Sequence, residues 1–363
     1  MVSLDEFEKY AKSILSQMIF DYFSGGACDE ISVKKNREAF DNIDLIPRVL
    51  TGNNNPDQST KILGQLISTP ILIAPTSFHG MATPEGEIAT IKAAKTVNTI
   101  MIASTMANTT LEEIASVQPN TSWFQLYLLN DKGATCDLIN RAENAGYKSI
   151  VLTVDSQTLG IRYKDVLNQF KLPDHLEAKN LTSNIRLDKK KYSANINCHA
   201  NGLFDKTISW KDVEWLQTKT KLPIILKGIL HKEDAKIAAA SNIAGIIVSN
   251  HGGRQLDTAI SPIAALPEII EAINTNLTVF IDGGIRRGTD IIKAIALGAD
   301  AILIGRPIIW GLIQNSTEGA IQVLRILQNE LHVAMVLCGF STITDIKMRG
   351  KDMLRLKKND DYK

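Results

Sequence analysis

An imidazole and a guanidinium three residues apart, on a segment carrying two glycines, follow a short apolar run: Ile246-Ile247-Val248, then Ser249-Asn250-His251-Gly252-Gly253-Arg254-Gln255-Leu256-Asp257. Histidine moves protons near neutral pH, and arginine grips a carboxylate with two parallel hydrogen bonds. Paired glycines let the backbone approach a ligand closely. Alone, such a segment reads first as a glycine turn with a structural histidine and a solvated arginine. The rest of the chain reverses that reading.

The elements that must position these residues recur along the chain. Eight apolar runs stand at Ile71-Leu72-Ile73-Ala74, Ile100-Met101-Ile102-Ala103, Trp123-Phe124-Gln125-Leu126, Ile150-Val151-Leu152-Thr153, Pro223-Ile224-Ile225-Leu226, Ile246-Ile247-Val248, Val279-Phe280-Ile281 and Ala301-Ile302-Leu303-Ile304. Amphipathic stretches lie between most of them, such as Pro84 to Val97, or Thr289 to Leu297 closed by Gly298. Continuous apolar strands alternating with helices indicate a parallel sheet covered on its outer face. Eight such units favour a closed (β/α)8 barrel, an α/β fold. No strand carries a GxGxxG turn, which weighs against an open dinucleotide-binding sheet.

One spacing is too long. Between the fourth and fifth runs lies a polar insertion, residues 164–205, with Lys189-Lys190-Lys191 and several asparagines, expected to form a lid over the barrel mouth. The lysine run reads as a solvated face. Residues 4 to 46 read as helical with a break at Ser24-Gly25-Gly26, within an N-terminal helical cap spanning residues 1–69. Thr317 to Leu337 reads as a final amphipathic helix. The 363 residues form one barrel domain on this reading.

Composition narrows the function classes. Forty basic against thirty-nine acidic residues give a net charge of +1, so no global field recruits nucleic acid or an anionic membrane. The cysteines Cys28, Cys136, Cys198 and Cys338 have neither metal-ligand nor redox spacing, which fits a reducing intracellular compartment and no metal site. No apolar stretch approaches the roughly 20 residues that span a bilayer, and the first residues lack a secretory pattern. The final residues, Asn359-Asp360-Asp361-Tyr362-Lys363, are not a Ser-Lys-Leu type peroxisomal address.

In a barrel of this kind the chemistry stands at the C-terminal strand ends. Those ends carry Pro75-Thr76, Ser104, Gln125 and Tyr127, Thr153 and Asp155, Lys227, Ser249 to Arg254, Asp282-Gly283-Gly284, and Gly305-Arg306. Single Ser or Thr residues there are ordinary helix caps, but polar groups at all eight ends exceed what capping needs. The seventh and eighth loops suit a phosphate, with Gly283, Gly284 and Gly305 as backbone donors and Arg286 and Arg306 as charge. Thr76, Ser104, Gln125 and Thr153 suit the edge of a flat heterocycle. Lys227 suits negative charge on a reduced ring, unless it serves a structural ion pair with a partner the sequence does not name.

Together, Ser249 to Gln255, Asp282-Gly283-Gly284-Ile285-Arg286-Arg287-Gly288, Gly305-Arg306-Pro307, Gln125-Leu126-Tyr127 and Thr153-Val154-Asp155 resemble the FMN-dependent 2-hydroxy acid oxidases and dehydrogenases, the glycolate oxidase group. The likeness runs over nearly the whole chain. It implies His251 as general base, oriented by Asp155, with Tyr127 on the substrate hydroxyl. Arg254, assisted by Tyr22, would hold the substrate carboxylate, with Arg162 as a second substrate arginine at the lid hinge. FMN would be held by Ala74, Pro75, Thr76, Ser104, Gln125, Thr153, Lys227, Ser249, Asp282, Gly283, Gly284, Ile285, Arg286, Gly305 and Arg306. The implied reaction is oxidation of an (S)-2-hydroxy acid to a 2-oxo acid, with O2 returning as hydrogen peroxide. The alternatives are another electron acceptor, or a non-oxidative phosphate-binding barrel such as an aldolase using Lys227. The likeness further implies a homotetramer or larger assembly and a peroxisomal home, with the cytoplasm as the alternative.

Four positions depart from that pattern. Met106 stands where glycolate-type members carry a tryptophan beside the substrate side chain, and methionine is flexible enough to admit a longer acid. Ser77 follows Ala74-Pro75-Thr76 where Ala or Gly is usual, and Gln157-Thr158 replaces a Pro-Arg pair.

Overall fold

The computed structural model describes residues 1–182, 202–273 and 277–357. Eight parallel strands form one sheet: β1 (Ile71–Ile73), β2 (Ile102–Ser104), β3 (Trp123–Leu126), β4 (Ile150–Thr153), β5 (Ile224–Ile229), β6 (Gly245–Val248), β7 (Thr278–Ile281) and β8 (Ala301–Ile304). β8 pairs with β1 through Ile302 to Ile304 against Ile71 to Ile73. A parallel bridge between Ile73 and Met101 closes the ring on the other side. The structure is therefore the (β/α)8 barrel that the eight apolar runs predict.

The runs are continuous because these strands are buried on both faces. Leu72, Ile102, Trp123, Val151, Ile225, Ile247, Phe280 and Leu303 fill the barrel interior, where Trp123 and Phe280 meet edge to face at 5.5 Å. Alternate residues such as Ile73, Phe124, Leu126, Leu152, Val248 and Ile281 pack outward against the helices. At the N-terminal end a hairpin, Thr60–Ile62 with Gln65–Ile67, presses Ile62 and Ile67 into the interior layer. Gln65 Oε1 accepts the Trp123 indole N–H at 2.6 Å. That packing seals one end, and the cavity opens at the other.

Several boundaries differ from the sequence reading for local reasons. The stretch taken as one broken helix over residues 4–46 is three helices, Leu4–Ile14, Gln17–Ser24 and Ile31–Asp41, followed by a strand Ile43–Leu45. The 1–69 cap is therefore helical only to Asp41, and its remainder includes the hairpin. The helix expected from Pro84 starts at Glu87, because Gly86 sits at φ +56. The last helix reaches back to Arg306, with a kink at Asn315 and Ser316.

Of the 164–205 insertion, the lysine run Lys189 to Lys191 lies outside the described residues. Its described ends are anchored. Helix Tyr163–Leu167 begins just after Arg162. Phe204 bridges to Leu129, and the Asp205 N–H donates to the Leu128 carbonyl at 2.8 Å.

Candidate active site

The cavity at the C-terminal mouth is lined by Tyr22, Ala74, Pro75, Thr76, Ser104, Gln125, Tyr127, Thr153, Arg162, Lys227, His251, Arg254, Asp282, Gly283, Gly284, Ile285, Arg286, Gly305 and Arg306. Every site residue named from the sequence is there except Asp155 and Ser249, which stand directly behind it.

His251 heads a one-turn 3-10 segment after β6, with φ at +58. A non-glycine residue in that left-handed region is strained and persists only where its surroundings hold it. Here the His251 N–H donates to Ser249 Oγ at 3.0 Å, and Nδ1 meets Asp155 Oδ1 at 2.9 Å. An ionised carboxylate only accepts, so Nδ1 carries the proton and Nε2 is left as acceptor. Asp155 fits beside β5 because residue 228 is glycine. At φ +116, a Cβ there would lie 2.7 Å from the Asp155 carboxyl carbon. Burial works to raise the Asp155 pKa, but the His251 ring and then Lys227 outweigh it and hold the carboxyl below its ordinary value.

The loop carrying His251 is fixed by the N-terminal segment. Asn36 and Asn250 exchange two side-chain hydrogen bonds of 2.8 and 2.7 Å, and Asn250 Oδ1 also accepts the Gly253 N–H at 3.0 Å. Asp257 accepts from the backbone N–H groups of Asp29, Ile31 and Ser32 at the start of helix Ile31–Asp41. The sequence reading gave these residues no role, since the partners lie more than 200 positions apart.

Three groups face one another on the substrate side. Arg254 stacks over the Tyr22 ring at 5.3 Å, and its Nη1 donates to the carbonyls of Tyr22 and Gly25 at 2.7 and 2.8 Å. Arg162 is buried, reaches Asp165 only at 3.4 Å, and leaves Nε without a hydrogen-bond partner. Burial first, then the neighbouring Arg162, pushes the Arg254 pKa down to about 9. A buried guanidinium, Arg162, and a half-buried one, Arg254, with unspent donors make this wall a receptor for an anion. Tyr127 is stacked against Phe204 at 4.4 Å. Burial and then the Asp155 charge raise its pKa, which keeps the phenol protonated and able to donate. Phe204, Phe78, Leu159 and Met106 complete this wall with apolar surface. The first three were missed in the sequence, where an isolated loop aromatic or leucine gives no signal.

The remaining groups fit FMN. Gln125 links the strand ends, donating to Thr153 Oγ1 at 3.0 Å and accepting from Ser104 Oγ and the Thr105 N–H. Lys227 has the partners the sequence did not name, Ser249 Oγ at 2.9 Å and Asp282 Oδ2 at 3.1 Å. It nonetheless lines the cavity, so the ion pair leaves it within reach of a ligand. Asp282 Oδ1 is buried with no partner, an acceptor suited to the hydroxyls of a ribityl chain. Gly284, at φ +88, must be glycine: a Cβ would lie 2.0 Å from the Asn36 carbonyl oxygen. Arg286 and Arg306 stand at this end with pKa values lowered by burial. Arg306 spends three donors on the carbonyls of Phe23, Gly252 and Gly25, and a guanidinium has five, so two remain for a phosphate.

A closed parallel barrel whose mouth joins a phosphate-ready end, a fence of polar strand ends and an imidazole–carboxylate pair is the framework of a flavin-using oxidoreductase. The sequence profile of the FMN-dependent dehydrogenases matches residues 11–353, and the chain belongs to that family, with FMN as its cofactor. It is 46% identical over 351 residues to an L-lactate oxidase of Nostoc sp., covering 95% of this chain and 96% of the relative. It is 44% identical over 347 residues to a peroxisomal (S)-2-hydroxyacid oxidase of Arabidopsis thaliana, covering 95% of each. The crystal structure of a mandelate oxidase superposes with a TM-score of 0.89 at 37% identity, covering 98% of each chain. Among the described residues no helix is long and apolar enough to cross a membrane, and no group of three or more His, Cys, Asp or Glu is placed to hold a metal ion.

Proposed function

We propose that this protein oxidises an (S)-2-hydroxy acid to the corresponding 2-oxo acid and passes the electrons to O2, giving hydrogen peroxide. The observation that carries this reading is the His251–Asp155 pair, whose unprotonated nitrogen shares one cavity with Arg162, Arg254 and Tyr127. Bound FMN supplies the two-electron acceptor that no side chain here provides. Arg254 and Arg162 hold the substrate carboxylate, and Tyr22 closes the same corner. Tyr127 donates to the 2-oxygen. His251 Nε2 takes the proton released as the carbonyl forms, and Asp155 stabilises the imidazolium. In sum the C2–H and O–H bonds of the acid break, a C=O bond forms, and two electrons and two protons reach O2.

The polar fence formed by Ala74 to Thr76, Ser104, Gln125, Thr153 and Lys227 is assigned to the flavin ring. Ser249 steadies Lys227. Asp282 is assigned to the ribityl chain, and Gly283 to Arg286 with Gly305 and Arg306 to the phosphate. An aldolase-type reading of Lys227 accounts for neither His251 nor the two substrate-side arginines.

The test is an anaerobic screen of 2-hydroxy acids for loss of flavin absorbance, followed by admission of oxygen and peroxide assay. His251→Asn should retain FMN while flavin reduction slows about 100-fold or more; near-normal reduction rules out the base assignment. Ile161, Val166 and Leu167, in and just before helix Tyr163–Leu167, are exposed apolar side chains. They support self-association into a homo-oligomer, checked by light scattering. Likeness to the Arabidopsis relative supports peroxisomal residence, checked by imaging a fluorescent fusion.

A further inference from the structure

His79 is the one fully buried histidine among the described residues, and the proposed chemistry makes no use of it. It lies behind the pocket wall, in the one-turn helix His79–Met81 that follows β1. Its ring is bonded at both ends. Nε2 meets Thr76 Oγ1, and Nδ1 meets Thr90 Oγ1 at 2.8 Å. Its backbone N–H donates to Glu87 Oε1 at 3.2 Å. Glu87, also fully buried, accepts from the Asn108 N–H and from Thr109 Oγ1 as well, so it ties the loops after β1 and β2 together. Burial pushes the His79 pKa down against the pull of Glu87, which keeps the ring neutral. A neutral imidazole offers one donor and one acceptor, so Thr76 and Thr90 must take opposite hydrogen-bonding roles toward it.

The consequence falls on Thr76, which lines the flavin pocket. Its hydroxyl is committed to His79, while its methyl faces Gly305 on the phosphate side. A Cβ on Gly305 would come within 3.3 Å of that methyl. A threonine side chain is stiff at χ1, and turning it to either other rotamer would put the methyl or the Cβ hydrogen against the imidazole and break the bond. A leucine or methionine would fill the His79 site without any polar group to satisfy, so volume alone does not call for histidine.

We infer that His79 is a positioning residue for the cofactor: by holding Thr76 in one rotamer, it fixes the pocket wall from Ala74 to Phe78 against which FMN lies. This rests on FMN occupying the cavity as proposed above.

The experiment compares His79→Phe, His79→Gln, Thr76→Val, Thr76→Ser and the His79→Phe/Thr76→Val double variant. FMN affinity is read by quenching of flavin fluorescence, alongside the visible spectrum and midpoint potential of the bound flavin. Removing the His79–Thr76 hydrogen bond should weaken FMN binding about five- to tenfold and shift the flavin band or potential. Thr76→Val should do the same, and the double variant should be no worse than either single. His79→Gln and Thr76→Ser, which keep polar atoms at each end, should recover most of the loss. If His79→Phe does not fold, a loss of affinity in Thr76→Val that Thr76→Ser reverses supports the inference, and a Thr76→Val protein indistinguishable from the unaltered one overturns it. Unchanged affinity and potential in His79→Phe, or strictly additive losses in the double variant, would also overturn it. No FMN uptake by the unaltered protein would instead overturn the flavin reading, and this inference with it.

Discussion

His251 Nδ1 lies 2.9 Å from Asp155 Oδ1, joining the loops after β6 and β4 across a strand whose glycine at 228 leaves room for the carboxyl. The other Asp155 oxygen is buried without a hydrogen-bond partner. Oδ1 also accepts the Ser156 hydroxyl at 3.2 Å, and through its contact with Nδ1 the carboxylate fixes the tautomer of the imidazole. Asp155→Asn keeps the shape and removes the charge. Flavin reduction by substrate should slow about 100-fold, with FMN content unchanged, in a stopped-flow measurement. A slowing of less than threefold would show that the carboxylate is not needed.

Arg162 supports a prediction that separates binding from chemistry. Its guanidinium is buried, its one acidic partner is 3.4 Å away, and its Nε is unpaired. A charge-assisted hydrogen bond to a substrate carboxylate contributes about 1.5–3 kcal/mol. Arg162→Met should therefore raise KM for a 2-hydroxy acid about 10- to 100-fold while FMN affinity stays constant. Steady-state kinetics beside a flavin titration distinguishes the two, and an unaltered KM would remove Arg162 from the substrate site.

The barrel and the polar strand ends that line its cavity were legible in the sequence because their signals are local. Strands buried on both faces appear as unbroken apolar runs, and each functional group follows its run within a few residues, as Lys227 follows Leu226 and Asp282 follows Ile281. The supports were not legible. Asn36 finds Asn250, Phe204 finds Tyr127, and Asp257 caps a helix that begins at Ile31. Each of these pairs is brought together only by tertiary folding, so no periodicity or spacing announces it. The helix start at Glu87 was misplaced for the opposite reason: Thr83-Pro84 is a strong local start signal, and the left-handed Gly86 overrides it.

The same Asp155 sets a pH dependence of stability. Its folded pKa lies below the ordinary 3.8. A carboxyl shifted in that direction stabilises the fold fully above its unfolded pKa, and the contribution is lost as pH falls through the folded value. The unaltered protein should thus lose more stability between pH 5 and the acid range below about pH 4 than Asp155→Asn does. Urea unfolding midpoints of both proteins across that range check this. Parallel curves would mean that the pair contributes nothing to acid sensitivity.

Met106 supports a prediction about how much room the acid's side chain has. It is buried on the cavity wall, and its carbonyl accepts the Phe78 N–H at 3.3 Å, so its backbone is fixed while its flexible side chain is free to adapt. An indole at this position would occupy space that methionine yields, and the loss should grow with chain length. Each methylene in an apolar pocket changes discrimination by about 1–3 kcal/mol. Met106→Trp should therefore lower kcat/KM for 2-hydroxy acids of four or more carbons by at least about tenfold relative to glycolate. The reduction rate with glycolate should change little, because His251, Asp155 and the arginines stay in place. Kinetics over a series from two to eight carbons measures this directly, and an unchanged ranking would place the side-chain subsite elsewhere in the cavity.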